Sequence, residues 1–117
     1  MSYDPTLLYE RIFLSLQQNP TLSLEELSGG LHVSRRTIQN IVIAETGKKF
    51  RDLREEFLLA RFKSALAAEP AATIKELSSE IGYRCPRAFA RAIHRACGIS
   101  PQQLRYILAG GLVASRT

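Results

Sequence analysis

Two groups of side chains in this 117-residue chain have the types and the spacing to bond the edges of nucleic-acid bases. The first is Arg36, Gln39, Asn40 and Ile43, at i, i+3, i+4 and i+7, which on a helix share one face. The second is Arg87, Arg91 and His94, flanked by Arg84 and Arg95. An arginine fork matches guanine O6 and N7, a Gln or Asn amide matches adenine, and an aliphatic group such as Ile43 fits the thymine methyl. Ile38, Ile41 and Val42 in the first group, and Phe89, Ala92 and Ile93 in the second, are the residues expected to turn inward. A lone arginine stripe is usually a solvated helix face, but such a face mixes in Asp or Glu for pairing. Residues 84–95 hold four arginines and no acid, and the arrangement occurs twice, so binding is the better reading.

Other chemistry finds little support. His94 and Cys97 stand one helical turn apart with Cys85 nearby, but the paired-ligand spacing of a zinc site is missing. Helix-core cysteines and an exposed histidine account for them, and no metal or cofactor is expected. There is no glycine-rich phosphate loop, nucleophile elbow or carboxylate pair, so the chain does not read as an enzyme. Exposed aromatic platforms for single-stranded RNA are lacking, which favours duplex DNA as the partner. A membrane partner is not expected, because Phe89, Ala92 and Ile93 should be buried instead of forming a free apolar face. Without a signal peptide or long apolar segment, and with two cysteines twelve apart, the expected location is cytoplasmic with reduced thiols.

Charge sharpens the choice of partner. Residues 1–80 carry ten Lys and Arg against eleven Asp and Glu, whereas 81–117 carry six Arg and no acid. A field so localised suits a polyanion whose condensed counterions are released on contact.

These side chains need helices to position them, and the helix signals are frequent. Asp4-Pro5 starts a helix that Asn19-Pro20 stops. Ser23 and Glu26 form a capping box for a short helix over about 24–30, with Gly29-Gly30 expected to end it. Leu31-His32-Val33 then makes a tight connection, and Ser34 caps a helix that runs to Gly47. A long helix follows from Phe50 to about Ala68 and ends at Pro70. Thr73 and Glu76 form a second capping box, Ile81-Gly82-Tyr83 a second turn, and Pro86 to Cys97 a second outward-facing helix stopped by Gly98. Ser100 to Gln103 opens a last helix, with Gly110-Gly111 expected to terminate it. No strand pattern appears. Met1 with its short polar start reads as a natural N-terminus.

The chain also repeats itself. Leu24, Leu27, Ser28 and Leu31 map onto Ile74, Leu77, Ser78 and Ile81 at a separation of 50, and Ile38, Ile41, Val42 and Gly47 map onto Phe89, Ala92, Ile93 and Gly98 at 51. One residue has been inserted in the second turn. The matched positions are those that pack a short helix against a longer one, so the duplicated object is a helix-turn-helix pair.

From Ser23 to Arg105 the sequence resembles the DNA-binding domain of AraC/XylS-type bacterial transcription regulators. The carriers are SLEELSGGLHVSRRTIQNIVIAETGKKF and TIKELSSEIGYRCPRAFARAIHRACGISPQQLR, the second being the more family-specific. The resemblance implies an all-α fold in which two homeodomain-like helix-turn-helix subdomains are joined by a long central helix. The expected organisation is residues 1–50 as the N-terminal helix and first helix-turn-helix, 51–68 as linker helix, 69–109 as the second helix-turn-helix with a closing helix, and 110–117 as a flexible tail. It further implies that Arg36, Gln39, Asn40, Arg87 and Arg91 read bases, while Ser34, Arg35, Lys48, Lys49, Arg84 and Arg95 hold phosphates and set register. Two recognition helices would enter successive major grooves about 34 Å apart, so that a monomer occupies an asymmetric two-box site on duplex DNA. RNA polymerase is the further partner considered.

Several residues depart from the family pattern: serines stand for alanine at Ser28 and Ser78, Leu58 and Phe62 for Arg and Ala, and Val42 and Ile93 for aromatic residues. Twenty-two residues precede Ser23, too few for a sensing or dimerisation domain, which implies either a short stand-alone regulator or the DNA-binding part of a longer one. The main rival is a helical protein-interaction module, supported by the aliphatic run Ile41-Val42-Ile43 and the near-neutral first half.

Overall fold

A computed structural model of the chain describes residues 4–110. It contains α1 (Pro5–Gln18), α2 (Leu24–Leu31), α3 (Arg35–Thr46), α4 (Phe50–Ala68), α5 (Ile74–Ile81), α6 (Pro86–Cys97) and α7 (Pro101–Leu108), with no strand among the described residues. The expected caps set these bounds. Asp4 accepts from the N–H groups of Thr6 and Leu7 at the start of α1. Ser23 and Glu26, and likewise Thr73 and Glu76, exchange reciprocal hydrogen bonds of 2.8 and 3.0 Å. The Ser23 N–H holds the Glu26 carboxyl below its usual pKa. Ser34 caps α3, and Gly47 and Gly98 end α3 and α6 in left-handed conformation.

One helix end differs from expectation. Gly29 and Gly30 do not stop α2; both are helical, and His32 instead takes the left-handed position, at φ 59°. The stop is made by backbone geometry. The N–H groups of His32 and Val33 both reach the Ser28 carbonyl, closing the last turn without a glycine. At the other end of the chain, α7 stops as expected: it ends at Leu108, Ala109 is its C-cap, and Gly110 follows in left-handed conformation. Gly111 and the rest of the expected tail lie outside the described residues.

The described chain divides into two compact units with their boundary between Leu58 and Leu59, inside α4. The segment read as a linker helix over 51–68 thus contributes to both units. In the first unit, Leu8, Ile12 and Leu16 of α1 pack with Leu27, Ile38, Ile41, Val42, Phe50 and Leu53. In the second, Phe62 and Leu66 of α4 are buried, as are Leu77, Ile81, Phe89, Ala92, Ile93 and Leu104. The Phe62 ring meets Phe89 edge-on at 5.1 Å, and Tyr83 packs on Phe89 at 5.4 Å.

Burial extends the repeat well beyond the two helix pairs. Leu8, Ile12 and Leu16 stand 50 residues before Leu58, Phe62 and Leu66, all six buried; Phe50, Leu53 and Arg54 stand 51 before Pro101, Leu104 and Arg105. Each repeat therefore has four helical parts, and α4 merges the last part of the first with the first part of the second. The match reaches individual hydrogen bonds. Arg54 donates to the Leu22 carbonyl, and Arg105 to the Ala72 carbonyl, in each case the residue just before the N-cap of the short helix. A buried or half-buried carbonyl left without a donor would be costly, so these arginines serve the fold.

Candidate nucleic-acid interface

In the first unit α3 buries Ile38, Ile41 and Val42 and exposes Arg36, Gln39, Asn40 and Ile43. The four exposed residues line one open cleft of about 780 Å³, together with Leu24, with Lys49 just before α4, and with Phe50, Arg51 and Asp52 at its start. Ile43 is 50% exposed. No hydrogen bond or ion pair within the described chain ties down Arg36, Gln39 or Asn40. Three hydrogen-bonding side chains and one aliphatic group are thus free to meet base edges.

The residues expected to hold phosphate are exposed, but they are not alike. The Ser34 hydroxyl accepts from the Thr37 N–H at 3.1 Å and bonds the Thr37 hydroxyl at 2.9 Å, so it serves first as a helix cap. The cap leaves the N–H groups of Arg35 and Arg36 in the open first turn of α3, where the helix dipole also favours an anion. Lys49 lines the cleft, whereas the Lys48 ammonium is paired with Glu56. Arg51, exposed on the first turn of α4, lines the same cleft and was not among the sequence candidates. Its signal was available. Positions 48, 49 and 51 are all basic, and the helix start at Phe50 aims Arg51 toward α3.

In the second unit α6 buries Phe89, Ala92 and Ile93 and exposes Arg87, Arg91 and His94, with Arg84 and Arg95 also exposed. Pro86 occupies the first helical position, where the missing N–H costs nothing. His94 and Arg95 lie in the last turn, where positive charge also complements the helix dipole. Cys85 departs from the expectation of a helix-core cysteine: it is the exposed residue just before α6, and Cys97 is half-buried. Its side chain makes no capping hydrogen bond, yet its thiol lies below the ordinary value. The backbone N–H groups of Ala88 and Arg87 contribute most to that, and the charges of Arg87 and Arg91 add to it.

Each unit thus presents a helix-turn-helix whose second helix is polar or basic on one face and buried on the other, the design of a DNA-reading protein. A family model described as a helix-turn-helix domain, of AraC type, matches residues 27–106, and the chain belongs to this family of DNA-binding transcription regulators. Among solved structures, the C-terminal domain of AraT, a response regulator from Geobacillus stearothermophilus, is similar at 24% identity and a TM-score of 0.74, over 86% of this chain and 84% of that one. A protein of unknown function from Listeria innocua is similar at 18% identity and a TM-score of 0.72, over 85% of this chain and 95% of that one. At these identities the likeness concerns the fold. No curated protein matches the chain significantly. Among the described residues, no helix is long and apolar enough to cross a membrane.

Proposed function

We propose that the protein reads two adjacent major grooves of duplex DNA, one with α3 and one with α6. Base contacts would come from Arg36, Gln39 and Asn40 in the first groove and from Arg87 and Arg91 in the second. Ser34, Arg35, Lys49, Arg51, Arg84 and Arg95 would serve phosphates, with Lys48 contributing less because Glu56 competes for it. The observation that carries this reading is that both units independently bury the apolar stripe of their second helix and expose its hydrogen-bonding stripe. The rival reading as a protein-interaction module loses its main support, because Ile41 and Val42 are 5% and 0% exposed. Ile43 alone remains at the surface of that run, where it lines the same cleft as Arg36 and Asn40.

Selection of sites from random duplex DNA tests the proposal. The expected product is two conserved boxes with centres about one helical turn, ~34 Å, apart. Recovery of a single box would reduce one unit to a supporting role, and recovery of none would return the protein-interaction reading to first place.

A further inference from the structure

We infer that two copies of this chain pair through α1, in antiparallel orientation. Leu7 and Leu14 are 51% and 56% exposed, two helical turns apart on the face opposite the buried Leu8, Ile12 and Leu16. Phe13 is 38% exposed, and beside Leu14 a groove of about 310 Å³ opens, lined by Tyr9, Glu10, Phe13 and Leu14. Of these, Leu14 is the one the fold does not require, since Phe13 packs edge-on against Phe57 at 4.9 Å and Leu7 corresponds in the repeat to the half-buried Phe57. Fifty positions on, the repeat has Lys63 and Ser64 in place of Phe13 and Leu14, both exposed, while every buried position of the two segments stays apolar. Helix α1 also precedes the stretch matched by the family model, which begins at residue 27.

The occupant follows from self-complementarity. A two-fold axis through α1 between Glu10 and Arg11 sets Leu7 against the partner's Leu14 and Glu10 against the partner's Arg11, each contact occurring twice, as an isologous interface requires. Glu10 and Arg11 are exposed, and neither side chain has a partner among the described residues. Residues 1–58 carry seven basic against eight acidic residues, so charge does not oppose the approach of two first units. Four leucines, two from each copy, and two ion pairs make a small interface, below the ~1,000 Å² of a stable complex, and the pairing is therefore reversible and concentration-dependent. It does not depend on which grooves the chain reads.

Sedimentation equilibrium of the full chain without DNA, from micromolar to millimolar concentration, tests the pairing, with circular dichroism confirming that each variant is folded. Wild type is expected to dimerise reversibly, and Leu14→Glu to weaken dimerisation about tenfold or more. Glu10→Arg and Arg11→Glu should each weaken it alone, while an equimolar mixture of the two restores association, since every 10-to-11 contact in the mixed pair joins opposite charges. A wild type that stays monomeric throughout, a Leu14→Glu variant that dimerises as well as wild type, or a mixture no better than its components would each overturn the inference.

Discussion

The two units share four helical parts, matching caps and an equivalent arginine anchor, yet they differ where they would meet DNA. The first offers three different hydrogen-bonding side chains, Arg36, Gln39 and Asn40, in a cleft that also contains Asp52, within a segment of nearly balanced charge. In the second, arginines dominate α6 and its approach, and no acid follows Glu80. Their cores differ in parallel. The first is mostly aliphatic, with its aromatic contacts among Tyr9, Phe13 and Phe57; in the second, Phe62 and Phe89 are fully buried. The lesson is that duplication preserved what the fold needs, caps and apolar positions, and left the exposed stripe free to diverge into a mixed polar face and a strongly cationic one.

The largest expected effect tests whether the units are structurally separate. Phe89→Ala should cost about 3–5 kcal/mol, because it removes a fully buried ring together with its edge-on contacts to Phe62 and Tyr83. Hydrogen exchange should then show lost protection in α5, α6 and α7 while α1, α2 and α3 keep theirs. Equal loss across all seven helices would mean that the two units unfold as one.

The next effects bear on DNA. Arg36→Ala and Arg91→Ala should each cost about 1–3 kcal/mol on the selected site and relax preference at one base pair. Uniform weakening on every sequence would make either residue a phosphate contact. Lys49→Ala and Arg51→Ala should instead lower affinity broadly and flatten the salt dependence by about one unit each. Lys48→Ala should change it less, since the Lys48 ammonium is already neutralised by Glu56. If Lys48 and Lys49 prove equal in titrations of binding against salt, the ion pair gives way on DNA, as exposed pairs worth about 0–1 kcal/mol can.

Much of this was legible from local signals, because capping boxes, Pro at helix starts and Gly at helix ends act within a few residues. The inward and outward stripes of α3 and α6 followed from helical period alone. What remained hidden depended on contacts across the fold. The Arg54 and Arg105 anchors span 32 and 33 residues of sequence, and the relation of α1 to the second half of α4 is masked by changes such as Ile12 to Phe62. Arg51 belongs to the α3 cleft only because α4 begins at Phe50. Gly29-Gly30 misled for a related reason. A glycine pair is a good stop locally, but here the Ser28 carbonyl and the turn into α3 place the left-handed residue two positions later.

That turn supplies a smaller test. The Ser78 carbonyl accepts from the N–H groups of Gly82 and Tyr83, as the Ser28 carbonyl accepts from those of His32 and Val33. The second unit places Gly82 at φ 120°, where the first holds His32 at φ 59°. Gly82→Ala should destabilise its unit by about 1–2 kcal/mol, since a Cβ is strained there. His32→Gly should stabilise its unit by up to about 1 kcal/mol, less what the freer unfolded chain takes back. A loss of melting temperature in His32→Gly would show that the imidazole makes a contact worth more than the backbone strain.

The smallest effect concerns the only acids of the basic unit. Glu80 shares a hydrogen bond with Glu69, and that bond, then the Glu69 charge, with lesser contributions from slight desolvation and the Glu76 charge, raises the Glu80 pKa above its ordinary value. A carboxyl whose pKa is raised on folding binds more protons folded than unfolded. Its contribution is therefore fully present below the unfolded pKa and lost as pH rises through the folded value. Once ionised, Glu80 faces the Glu69 charge, and the two repel. Glu80→Gln keeps a hydrogen-bonding group and removes the repulsion, so the variant should melt slightly higher than wild type at neutral pH. The difference should shrink with added salt, because both residues are exposed, and vanish below the carboxylate range. Melting curves for the two proteins across that pH range check the sign. A variant that melts lower than wild type at neutral pH would mean that attraction between Glu80 and the unit's positive charge outweighs the Glu69 repulsion, and the second unit would then use its few acids to temper its own positive field.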